Sequence, residues 1–97
     1  MLKNLFSIIW RVFLEKGFNT DLEVKGRIYH VQTEDWGQFN PYLVSRIFKN
    51  GAVVKSIKTG YGEVLPTGKT SSTKLIKLAM KVQHNKILDL LVDGKLL

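Results

Sequence analysis

The residues nearest to doing chemistry are Gly68, Lys69 and Thr70, inside "GYGEVLPTGKTSST", between a strand-like and a helix-like stretch. A loop that wraps a nucleotide phosphate reads G-x-x-x-x-G-K-[ST], because a fixed run of backbone N–H groups must surround the anion. The first glycine of that pattern falls on Glu63, whose carboxylate would repel a phosphate. Gly60 and Gly62 are out of register, and Pro66 withdraws a backbone donor. The stretch reads as a polar turn that caps the last helix. A second set, His30, Gln32 and Glu34, alternates along "HVQTED" and so shares one side of a strand. Imidazole with carboxylate suits metal ligation or acid–base work, but such a site would need His84, far along the chain, to converge on it. The set reads as a polar, half-exposed strand face. The chain has no cysteine, hence no thiolate ligand or disulfide, and no serine has a recognisable nucleophile context. A non-enzymatic protein without metal or cofactor is expected.

The elements that carry these residues come from the periodicity. Residues 2–16 repeat at helical spacing, with Lys3, Asn4, Ser7, Arg11 and Glu15 gathered into about a third of the wheel. Leu5, Phe6, Ile8, Ile9, Trp10, Val12 and Phe13 fill the rest, and Gly17 suits the C′ position that ends a helix. So wide an apolar arc fits a helix buried on several sides, shared with another subunit, or lying in a membrane interface. Arg11 interrupts the apolar run and no small-residue cleavage site follows, so the stretch reads as mature sequence rather than a signal peptide.

From residue 21 the period changes to two, giving strands near 21–25, 27–33, 41–49 and 52–58. Asn50-Gly51 is the pair that best tolerates the positive φ angles of a tight hairpin, and Gly26 turns the first pair. After a loop over 61–72, helical spacing returns from residue 73, with Ser71 or Ser72 as N-cap and Gly94 as stop. Its buried side is expected to be Leu75, Ile76, Leu78, Ala79, Val82, Ile87, Leu90 and Leu91. The fold class is α+β in a single domain of residues 1–97. An N-terminal amphipathic helix (1–17) precedes a four-stranded antiparallel meander (18–60), a loop (61–72) and a C-terminal helix packed on the sheet (73–93).

Two surfaces suit binding. With 97 residues, 44% of them hydrophobic, the chain can build only a small core, so association would add stability. Lys and Arg exceed Asp and Glu by 15 to 8, a net charge of +7 that attracts acidic proteins, nucleic acid or anionic lipid without choosing among them. In a two-residue hairpin at Asn50-Gly51, Phe48 faces Val53, Arg46 faces Lys55, and Val44 faces Ile57. The two opposed cations need an answer, from Glu23 or from an external anion. Lys74, Lys77 and Lys81 share the solvent side of the last helix, with Lys69 near its start. Lysine stripes are most often plain solvated faces, and the scarcity of arginine argues against sequence-specific reading of nucleic acid. Trp36 and Phe39, with Tyr42, are expected to plug the end of the core; their loop is also the best surface for protein recognition.

From Phe18 to Tyr61 the sequence resembles a recurrent bacterial small-domain family through "FNTD…KGRIYHVQTEDWG…NPYLVSRIFKNGAVVKSIKTGY". The resemblance spans less than half the chain and implies a β-meander core and a bacterial cytoplasmic origin. It carries no activity, so no functional residue is taken from it. The functional expectation is a protein-binding or adaptor module, self-associating as a homo-oligomer or holding a partner. Its protein-binding residues would be Phe6, Ile9, Trp10, Phe13, Trp36 and Phe39. The alternatives are a non-specific nucleic-acid-associated protein using Arg46, Lys55, Lys69, Lys74, Lys77 and Lys81, and a peripheral membrane protein anchored by the first helix. A cytoplasmic location is expected, membrane-associated under that last reading.

Overall fold

The computed structural model describes residues 17–97. The expected N-terminal helix, with Phe6, Ile9, Trp10 and Phe13, lies outside them. The described chain is an α+β fold: strands β1 (Phe18–Val24), β2 (Arg27–Asp35), β3 (Tyr42–Lys49) and β4 (Ala52–Gly60), a single turn of helix α1 (Tyr61–Val64), and helix α2 (Thr73–Val92). The sheet has the order β1-β2-β3-β4, with every neighbouring pair antiparallel. Two tight turns set this meander, at Lys25-Gly26 and Asn50-Gly51, where both residues of each pair have positive φ. That conformation matches the twist of the flanking strands.

Alternation along the strands separates two faces. Phe18, Thr20 and Leu22 of β1, Tyr29, Val31 and Thr33 of β2, and Leu43, Ser45 and Ile47 of β3 are all buried, and they line the face beneath α2. Helix α2 begins at Ser72, whose hydroxyl accepts the Leu75 N–H at 3.3 Å. It ends where the Lys95 N–H donates to the Leu90 carbonyl and Gly94, at φ 70, donates to Leu91. Those paired bonds satisfy carbonyls that a bare helix end would leave open.

Helix α2 lies over β1 and β2 and reaches β3. Its sheet-facing stripe is Ile76, Met80, His84, Ile87, Leu88 and Leu91. This corrects the expected buried side: Leu78 and Val82 are 56% and 60% exposed, while Met80, His84 and Leu88 are buried in their place. The helix has apolar residues around more than half its circumference, and one sheet face covers only part of that arc.

The second correction is one of register. Phe48 does face Val53, but a bulge follows, so that Ile47 faces Lys55, Arg46 faces Ser56 and Val44 faces Lys58. A bulge puts one extra residue on one strand, and every later side chain changes face. Arg46 and Lys55 are therefore on opposite faces of the sheet and do not oppose one another. Ile57 and Thr59 turn toward α2, and Lys58 turns to the back.

Candidate functional site

Three constellations survive folding, and they differ in kind. The back face of the sheet carries the "HVQTED" side chains. His30 Nδ1 lies 2.7 Å from Asp21 Oδ1, and its Nε2 lies 3.3 Å from Asn19. Glu34 accepts from Gln32 at 2.8 Å and from the Trp36 indole at 3.2 Å, and it pairs with Arg46 at 3.5 Å. Glu34, rather than Glu23, is thus the carboxylate that answers Arg46. Lys58 stands over both Trp36, at 5.3 Å, and Tyr42, at 4.1 Å, and Arg46 lies 5.7 Å from the Trp36 ring. Trp36 therefore meets two cations on the back of the sheet rather than plugging the end of the core. Phe39 does not plug it either, being 105% exposed at the loop tip.

His84 is buried on the other side of the sheet, beneath α2, so the two histidines do not converge. Its Nε2 lies 2.9 Å from Thr20 Oγ1 and its Nδ1 lies 2.7 Å from Thr33 Oγ1. Thr33 in turn meets Ser45 at 2.7 Å, and Gln83 donates to Ser45 at 2.9 Å. Because Gln83 Nε2 can only donate, a consistent assignment runs from Gln83 through Ser45 and Thr33 to His84 Nδ1, with Nε2–H donating to Thr20. Removal from water, reinforced by the charge of His30, pushes the His84 pKa down to about 4. A neutral imidazole satisfies this arrangement fully. Among the described residues no group of three or more His, Asp or Glu could hold a metal ion.

The "GYGEVLPTGKT" stretch is spent on local structure. The Glu63 carboxylate accepts the Gly60 N–H at 2.9 Å and caps α1. The Lys69 N–H donates to the Pro66 carbonyl, and the Ser72 N–H donates to Lys69. Gln38 ties this loop to the aromatic one by donating to the Thr70 carbonyl at 2.7 Å. Tyr61 is buried and donates its hydroxyl to Asp35. Burial first, and then the Asp35 carboxylate, push its phenol pKa up to about 12. A pKa raised above the unfolded value leaves that stabilisation intact below pH 10 and removes it as pH climbs toward 12. Tyr61→Phe should cost about 1.5–3 kcal/mol, the worth of a hydrogen bond to a charged acceptor. Urea unfolding at pH 7 and pH 11 tests both points: a penalty of the same size at both pH values would rule out the Asp35 bond as its source.

The third constellation is a groove. Among the described residues nothing covers the sheet face between α2 and β4, and a cavity of about 620 Å³ opens there. Its walls include Ile57 of β4, Val64 of α1, Leu65, and Leu75, Leu78 and Val82 of α2. Lys86 stands among them as the lining residue with a charge. At about 100° per residue, Lys74, Lys77 and Lys81 fall on the opposite flank of α2, and all are exposed. The lysine stripe and the groove thus divide the free surface of the helix. Lys55 and Lys69 are exposed but join neither. Sequence periodicity missed the groove because it grouped both apolar arcs of α2 as one buried side.

Comparison with protein-family models, with curated proteins and with solved structures returned no match.

Proposed function

We propose that the protein is a non-enzymatic protein-binding module whose working surface is the α2–β4 groove, and that the groove accepts an amphipathic helix. The supporting observation is the uncovered apolar flank of α2, with Leu78 56% and Val82 60% exposed beside a cavity of about 620 Å³. Scattered apolar residues on a surface need no explanation, but a contiguous concave patch does. Helix-in-groove recognition reads one apolar stripe through such a channel. Phe39, fully exposed at the tip of its loop, offers a second anchor on the same body. No helix among the described residues is long and apolar enough to cross a membrane.

A labelled peptide of residues 1–17 serves as the probe helix. It is titrated by fluorescence anisotropy against full-length Trp10→Glu, whose own segment can no longer seat an apolar ring. Binding at micromolar concentration is expected, together with a loss of at least tenfold when Leu78→Glu is added to the same chain. Equal affinity for both chains, or none for either, removes the groove as the binding surface.

A further inference from the structure

We infer that the occupant of the groove is segment 1–16 of a second copy of this chain, so that two copies exchange their N-terminal segments. The inference rests on the groove reading above and adds where the occupant comes from. Length is the first argument. The groove follows α2 from Leu75 to Leu90, about 22 Å at 1.5 Å per helical residue. Sixteen residues wound as a helix span about 24 Å by the same measure. Chemistry agrees with length. The segment offers Leu5, Phe6, Ile9, Trp10 and Phe13 from its apolar arc, and its polar arc would be left facing water. Glu15 is its one acidic residue and Lys86 is the charged residue of the groove.

Chain path then decides between the chain's own segment and that of a neighbour. The segment joins the sheet at Phe18 in β1, one edge of the sheet. The groove opens over β4, the other edge, about 14 Å away at three strand spacings. Helix α2 lies over the strands between them. A segment that uses its full length to fill the groove has no residues left to make that crossing. The flank of α2 turned away from the groove is no alternative, because Lys74, Lys77 and Lys81 line it. A second copy approaching by a two-fold axis needs no crossing and buries both segments at once, the arrangement of exchanged dimers.

Sedimentation of full-length chains tests the exchange. Wild type is expected at twice the chain mass. Trp10→Glu, which spoils the segment, and Leu78→Glu, which spoils the groove at an exposed position, are each expected at the single mass. Urea midpoints within about 0.5 M of wild type, measured on the monomeric variants at fixed low concentration, exclude simple unfolding. Mixing the two variants restores the double mass, because the sound segment of one chain fits the sound groove of the other. Only exchange between chains gives this complementation. A wild type of single mass overturns the inference. So does a doubled wild type whose mixed variants stay single, since another surface then holds the dimer. If the 1–17 peptide binds Trp10→Glu while wild type is monomeric, the groove reading stands and the exchange falls.

Discussion

Wild-type protein taken from pH 7 to pH 4 should lose about 3 kcal/mol more stability than a His84→Gln variant does over the same range. The folded-state pKa of His84 lies at about 4, against 6.5 for the free side chain. Between those values the unfolded chain binds a proton that the folded chain refuses, so falling pH favours unfolding. The stabilisation is complete above pH 6.5 and disappears as pH drops to 4. A gap of that size is worth about 3 kcal/mol. For a small domain it moves a urea midpoint by about 2 M. Glutamine can still donate to one threonine and accept from the other, so the variant keeps most of the network without titrating. The other ionisable residues are the same in both proteins, so their contribution cancels in the difference. Parallel loss in the two proteins would show that His84 is not held neutral by its surroundings.

The His84 layer also shows what could be read from the sequence and what could not. Both hairpins were legible, because Asn50-Gly51 and Gly26 state their turn geometry chemically and the strands between them alternate. The capping residues Ser72 and Gly94 were legible for the same reason. Thr20, Thr33 and Ser45, by contrast, look like outward-facing strand residues. They are buried because each occupies the inward position of its strand, and His84 arrives from a helix 51 residues beyond Thr33 to bond it. No local pattern announces such a partner. The bulge after Phe48 is invisible for a different reason: "AVVKSIK" alternates acceptably in either register, and only the folded pairing, which sets half-buried Ile57 and Thr59 on the α2 side, decides between them. That one-residue step separated Arg46 from Lys55 and brought Lys58 over Trp36 and Tyr42. With it went the opposed pair of cations that called for an answering charge at the hairpin.

Leu88→Ala should cost about 3 kcal/mol, and Leu78→Ala less than about 0.5 kcal/mol, although both remove the same atoms from the same helix. Leu88 is 4% exposed and packs with Leu22, Val31, Ile47 and Leu91. Truncating it removes buried apolar contact and leaves a void that its strand neighbours cannot fill, a loss of 2–5 kcal/mol in comparable cores. Leu78 is 56% exposed, so its truncation returns little surface to water within one chain. Urea unfolding at low protein concentration, where exchanged copies have separated, measures that intrachain difference. Raising the concentration a hundredfold should then stabilise wild type and Leu88→Ala but leave Leu78→Glu unchanged, since only assembly links stability to concentration. Similar costs for the two alanine variants at low concentration would place Leu78 inside the fold of its own chain. The groove would then be closed and there would be no flank for a second copy to cover.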